Sequence, residues 1–161
     1  MRAFVTLFTV VVNLLLADAV TKELAAARLK GAAAVPVIPG FFDLAYVENR
    51  GCAWGMFQGQ VWPLAAFAVV ALALLAWKRR SVFPLDASGA RRAAGVVAEW
   101  LIYAGIVGNL IDRVWRGYVI DFLDFHWRAA YHFPCFNLAD VFICVAAGLL
   151  VAVSLFAPKG K

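Results

Sequence analysis

Four long, predominantly apolar blocks alternate along the chain with segments in which polar and charged residues collect. The first runs from Ala3 to Ala17, broken only by Thr6, Thr9 and Asn13, and with its continuation through Val20 it can span about 30 Å of hydrocarbon. The second, Val61 to Trp77, carries no charge and places Pro63 in its first turn, where a missing amide donor costs least. A third helix is predicted from about Ala93 to Val114, with Ala104, Gly105 and Gly108 offering a small-residue face for close helix contact, and a fourth from Val141 to Ala157. The pattern predicts four membrane helices. One alternative stays open for the first: Arg2, an apolar core and Ala17-Asp18-Ala19 also imitate a signal peptide with its cleavage site.

Two hydrophilic excursions, 18–60 and 112–140, separate these blocks. From Glu23 to Gln60 the residues predict a short Ala-rich helical piece ending near Gly31, a turn at Pro36, Pro39 and Gly40, and strand over Phe41 to Glu48. Asn49-Arg50-Gly51 is a turn signal, and Ala53 to Phe57 returns apolar and aromatic. A small hairpin at the membrane surface, where Trp and Phe favour the interface, is expected there.

Composition agrees with a bilayer. The 161 residues are 65% hydrophobic and 16% charged, with a mean hydropathy of +0.82, outside the range of soluble domains but suited in length to one domain over 1–161. The net charge of +5 does not indicate nucleic acid, because the basic residues neither share one face nor interleave with stacking aromatics. Lys78, Arg79, Arg80, Arg91 and Arg92 instead crowd the loop between the second and third helices, which places that loop in the cytoplasm. With an even number of spans both termini are cytoplasmic, and 18–60 and 112–140, which hold eight of the ten acids, are extracytoplasmic.

The candidate chemistry lies in Val119 to Asp140, where Asp121, Asp124 and Asp140 stand against apolar neighbours. Partial burial and a nearby second carboxylate both disfavour ionisation, so such a pair can hold one proton between its members, as general acid and base require. Spacing does not choose between Asp121 and Asp124 as the partner of Asp140. Asn137 with Asp140 three residues on also reads as a helix cap of purely structural purpose. Asp18 and Lys22 form a helical i,i+4 pair worth by itself about 0.2–0.5 kcal/mol, and Asp112-Arg113 reads either as a local pair or as a functional site at the edge of hydrocarbon. Cys52, Cys135 and Cys144 form no CxxC pair and are odd in number, so no zinc site follows, and a Cys52–Cys135 disulfide stays open. His126 and His132 lack ligand spacing; neither metal nor cofactor is expected.

Five features stand in order: Asp18-Ala-Val-Thr21-Lys22; Val47-Glu-Asn49-Arg-Gly51-Cys-Ala53-Trp-Gly55; Gly105-Ile-Val-Gly108-Asn109-Leu-Ile-Asp112-Arg113; Val119-Ile-Asp121-Phe122; and Phe136-Asn137-Leu-Ala139-Asp140. In order, spacing and position at the outer ends of four membrane helices, the chain resembles the bacterial lipoprotein signal peptidases, signal peptidase II. The resemblance implies an aspartic endopeptidase of the inner membrane that removes the signal peptide of prolipoproteins just before a diacylglyceryl-modified cysteine. It implies Asp121 and Asp140 as the catalytic pair, through the family's Val-x-Asp-Phe pattern. Asp18, Lys22, Asn49, Gly51, Asn109, Asp112, Arg113, Asn137 and Ala139 fall on substrate-binding or supporting positions. It further implies an all-α membrane protein of four transmembrane helices with a small extracytoplasmic β-sheet cradle supplied by 18–60 and a membrane-surface helix. The expected partners are prolipoproteins and membrane lipids, with no nucleic acid and a monomeric enzyme. Cys52 and Trp54 depart from the family's usual small residue and phenylalanine, which leaves substrate preference open. The competing readings are a small proton-coupled carrier or channel subunit, whose acids would sit at the bilayer midplane, and an assembly factor without chemistry.

Overall fold

The computed structural model describes residues 2–127 and 131–156. Its order is α1 (Arg2–Leu29), β1 (Val35–Ile38), β2 (Phe42–Asn49), a 3₁₀ turn (Ala53–Gly55), α2 (Val61–Trp77), α3 (Arg79–Val82), α4 (Gly89–Arg116), β3 (Val119–Trp127), β4 (Tyr131–His132) and α5 (Leu138–Leu155). The molecule is mostly helical, with one small antiparallel sheet in the order β1-β2-β3-β4. Two helices among the described residues, α4 and α5, are long and apolar enough to cross a bilayer, and α2 is apolar but shorter.

Several boundaries differ from expectation. The first helix does not give way to a separate piece after Val20: α1 continues for 28 residues to Leu29, and Gly31, at φ +78°, follows its end. The continuation is made of good helix formers, Leu24 to Ala27, and two of its side chains, Ala25 and Leu29, bury against Ile120 and Phe122 of β3. The helical piece expected to end near Gly31 is therefore not a separate element but the last turns of α1, and the other helical stretch described within 18–60 is the 3₁₀ turn Ala53–Gly55. The hairpin expected around Ala53 to Phe57 is also absent there. Those residues form the 3₁₀ turn and its exit, with Trp54 and Phe57 both at φ 56°, while the hairpin joins β1 and β2.

The sheet is not supplied by 18–60 alone. β3 contributes its third strand, pairing Val47 with Asp121 and Asn49 with Val119. Val119 to Phe122 are buried on both faces of β3, so the alternation expected of a half-exposed strand is hidden in its first half. α4 starts earlier than predicted, at Gly89, and stops where Gly117 takes the left-handed conformation at φ +75°. α5 begins at Leu138, three residues before the apolar run suggests, because Asn137 caps it.

Glycines set the helix spacing at the end of α4 nearest the sheet. A Cβ on Gly105 would lie 2.5 Å from the Ala139 carbonyl oxygen of α5, and one on Gly108 would lie 2.7 Å from Asp18 Oδ2 of α1. The small-residue face read from the sequence is thus where α1, α4 and α5 meet. Toward the other end of α4 a second cluster forms around Phe83, Ala98 and Ala146.

Candidate active site

Local structure at the start of α5 delivers the first carboxylate. Asn137 and Asp140 close a capping box: Asp140 N donates to Asn137 Oδ1 at 3.0 Å, and Asn137 N donates to Asp140 Oδ2 at 3.1 Å. The structural reading of this pair is correct, yet it does not exhaust the residues. The cap leaves Asn137 Nδ2 to donate elsewhere, to Asp121 Oδ1 at 2.7 Å and to Asn109 Oδ1 at 3.1 Å. A capping device is at the same time the link between two acids nineteen positions apart.

Asp121 reaches this point because the chain before α5 lies along β3. Phe136 N donates to Leu123 O at 3.1 Å, and Phe122 N and Leu123 N both donate to Phe136 O, which brings the next residue, Asn137, beside Asp121. On its other side Asp121 Oδ2 accepts from Asn49 Nδ2 of β2 at 2.8 Å. An odd offset along a strand reverses the face, so Asp124 points away, and its carboxylate lies 3.5 Å from His132 Nδ1 instead.

Asp121 and Asp140 both line a cavity of 490 Å³, together with Asn49, Asn109 and Arg113 and a largely apolar wall that includes Trp54, Phe133 and Phe136. Asp121 is 2% exposed. Burial, and after it the negative charge of Asp140, push Asp121 up to about 7 against the opposing effect of the Asn49 and Asn137 hydrogen bonds. A carboxyl poised near neutrality beside a second one in a low-dielectric cleft can give or take a proton at physiological pH.

Behind the pair lies a buried polar network. Lys22, 1% exposed, donates to Asp18 at 2.8 Å, Asp112 at 2.9 Å and Asn109 Oδ1 at 3.0 Å, while Asn109 Nδ2 donates to Asp140 Oδ1 at 2.7 Å. Asp18 Oδ1 also accepts from Ala139 N at 2.9 Å, so α1 holds the first turn of α5. The Asp18–Lys22 contact is therefore no weak surface pair. Removing one partner of a buried ion pair costs about 3–5 kcal/mol, because the other charge is stranded.

The local reading of Asp112-Arg113 is not what forms. Asp112 pairs with Lys22 and with Arg116 at 3.0 Å, whereas Arg113 donates to its own helix at Asn109 O and across to Gly51 O at 3.1 Å. Gly51 is required at its place, since a Cβ would lie 2.4 Å from Met56 O, and its amide donates to Asn49 Oδ1 at 2.9 Å. The residues that the resemblance places at the site thus meet in one connected region around the two acids, while Asp124 stays outside it.

Other groups were not foreseen. Arg116 bridges Asp112 to Glu23 of α1, and Arg79 pairs with Glu99, which is buried in α4 away from the acids. Glu99 was legible as an acid inside an apolar helix. The three cysteines are free thiols, and all three line the cavity; burial, then the charge of Asp121, pushes the Cys135 thiol up to about 12. His126 and His132 stack at 4.9 Å with Asp43 and Asp124 beside them, an acid–imidazole cluster that linear spacing hides. Among the described residues no group of three or more His, Cys, Asp or Glu is arranged to hold a metal ion.

The chain is similar to known proteins in sequence and in fold. The family model described as signal peptidase (SPase) II matches residues 10–156. The lipoprotein signal peptidase of Syntrophotalea carbinolica is 43% identical over 137 residues, covering 83% of this chain and 81% of that protein. The lipoprotein signal peptidase of Clostridium acetobutylicum is 37% identical over 148 residues, covering 91% of each. A solved bacterial membrane enzyme, obtained by the in meso method, superposes with a TM-score of 0.78 at 27% identity over 97% of this chain and 93% of that one.

Proposed function

We propose that this chain, which belongs to the signal peptidase II family of aspartic-type peptidases, removes the signal peptide of prolipoproteins by cutting just before a diacylglyceryl-modified cysteine, with Asp121 and Asp140 as its catalytic pair. The observation that carries this reading is that two carboxylates from different elements, β3 and the first turn of α5, line one apolar-walled cavity and are joined through Asn137.

With Asp121 pushed up to about 7, the pair holds one shared proton near neutral pH. The ionised member takes a proton from a water between the two as its oxygen attacks the scissile carbonyl, and the protonated member donates a hydrogen bond to the carbonyl oxygen. The tetrahedral intermediate collapses when a proton reaches the leaving nitrogen and the C–N bond breaks. The products are the signal peptide, with a new carboxyl terminus, and the free amino group of the lipidated cysteine. Asn49, Asn109 and Asn137 hold the acids, Asp18, Lys22, Asp112 and Ala139 hold α1, α4 and α5 around them, and Arg113 with Gly51 steadies the loop beside Asn49. Acid and base are both supplied by carboxyl groups, so the step requires no metal.

The cavity's apolar wall continues along α5 through Val141, Ile143 and Val145, and the exposed side of that wall suits acyl chains that remain in hydrocarbon. Each methylene buried contributes about 0.8 kcal/mol, enough for two long chains to supply much of the binding free energy. In this reading α1, α2, α4 and α5 span the bacterial inner membrane and the termini are cytoplasmic. The sheet and the acids then lie at the extracytoplasmic side, and the chain works as one monomeric domain among membrane lipids.

Incubating the purified protein with lipidated and unlipidated prolipoprotein tests the proposal. Cleavage before the modified cysteine of the lipidated form is expected; no cleavage, or equal cleavage of the unlipidated form at matched concentration, rejects it.

A further inference from the structure

We propose that Lys22 is a positioning residue for the two acids, acting through the Asn109 side chain to aim its amide N–H at the Asp140 carboxyl. The inference rests on the reading of Asp121 and Asp140 as the catalytic pair and assigns the asymmetry between them.

Lys22 has three donors and meets three acceptors, Asp18, Asp112 and Asn109 Oδ1. An ammonium only donates, so the Asn109 atom facing it is the carbonyl oxygen, and that oxygen also accepts from Asn137 Nδ2 at 3.1 Å. Asn109 Nδ2 is thereby left to donate to Asp140 Oδ1 at 2.7 Å. Turning the amide over would set its NH₂ against an ammonium and a second NH₂ in a buried site, where unpaired donors are most costly.

Position is one half of the effect and polarisation the other. A positive charge at the amide oxygen makes the N–H at the other end a stronger donor, and a donor aimed at a carboxylate favours its ionised form. The amides that serve Asp121 have no such charge behind them. Asn49 Oδ1 is held by the backbone amide of Gly51, and Asn137 Oδ1 by that of Asp140. The two acids are thus both held by asparagines, but a cation stands directly behind the amide of one only. The remaining charged or titratable groups facing this region are Asp18 from α1, Asp112 and Arg113 from α4, Cys144 from α5, and Cys52 and Cys135 from the loops bordering the cavity.

The simpler role for Lys22, neutralising Asp18 and Asp112 so that the helices pack and acting on the acids only through space, predicts lost stability and a titration shift that does not depend on Asn109. The full-length protein in detergent separates the two. The infrared carbonyl stretch of the protonated pair, identified by its change in Asp121→Asn and Asp140→Asn, is followed against pH in wild type, Lys22→Met and Lys22→Arg. In Lys22→Met the ionisation midpoint should rise by about one pH unit. On prolipoprotein its kcat should fall about 100-fold with KM little changed, and Lys22→Arg should restore part of both. Asn109→Leu should give the same shift, with the double variant no worse than either single one. An unmoved midpoint in folded Lys22→Met, or additive shifts in the double variant, would overturn the proposal. Where Lys22→Met fails to fold, Asp18→Asn/Lys22→Met removes one charge of each sign, and the same shift is expected of it; an unmoved midpoint there is equally decisive. A wild type that shows the Lys22-dependent titration yet cleaves no prolipoprotein would retain the positioning role and reject the peptidase reading.

Discussion

Asn49 donates to Asp121 across 2.8 Å although the strand register sets Asn49 opposite Val119 and Asp121 opposite Val47. The contact is diagonal, two residues along the neighbouring strand on the same face, a separation that a polar side chain can bridge. It opposes the effect of burial on Asp121 by stabilising the charged form. Asn49→Ala should therefore move the alkaline limb of the rate–pH profile upward, while the loss of the amide that holds the carboxyl in place should lower the maximal rate by about tenfold. An alkaline limb that stays in place would contradict this account of Asn49.

Replacing either acid keeps shape but removes an ionisable group. Asp121→Asn and Asp140→Asn should each nearly abolish cleavage in protein that still inserts and folds, and the double variant should be hardly worse, since residues acting as one unit lose activity non-additively. Asp124→Asn is the control, because that carboxylate lies by His132 and does not line the cavity. A dead Asp124→Asn beside an active Asp121→Asn would reverse the assignment.

Stability should also depend on pH in a defined direction. Asp121 is raised from 3.8 to about 7, so between those values the folded protein binds more protons than the unfolded chain. Its contribution is present at low pH and is lost as pH rises through that window. Thermal unfolding in detergent should show Tm falling from about pH 4 to about pH 7 from this group, with a flatter slope in Asp121→Asn. An unchanged slope in that variant would argue against the shift.

Close helix approach beside the acids predicts sensitivity to single methyl groups. Gly105→Ala places a carbon against the Ala139 carbonyl and the Ile143 side chain, and should cost about 1–3 kcal/mol and reduce activity by displacing the first turn of α5. Gly148→Ala meets nothing within 4 Å and should be close to neutral. Equal unfolding temperatures for the two variants would refute the packing argument.

The proposed topology follows from five basic residues in 78–92 and from the acids gathered in 18–60 and 112–140. A reporter fused after Trp127 should read as outside the cytoplasm and one after Lys161 as inside. The opposite pattern would put the acids on the wrong face for exported prolipoproteins.

What the amino-acid sequence determined by itself is whatever depends on local transfer free energy or on the order of residues. Apolar runs located α2, α4 and α5 to within a few residues, since burying or solvating a side chain is a property of each residue in turn. The ordered motifs, read as a family resemblance, point to Asp121 and Asp140, which the structure sets in one cavity. Tertiary structure decided everything that depends on partners distant in the chain. α1 continues past Val20 because its last turns bury Ala25 and Leu29 against β3, and β3 sits inside the sheet because 119–127 pairs with a strand more than seventy residues earlier. Composition could not separate Asp121 from Asp124; the pleat of β3 does, by sending them to opposite faces. Nor could spacing show that Lys22 serves Asn109 as well as Asp18, or that Arg113 bypasses its neighbour Asp112 for the Gly51 carbonyl. Hydrogen bonds and buried charges are directional and short-ranged, so their partners are set only when α1, α4, α5 and the sheet close around one another.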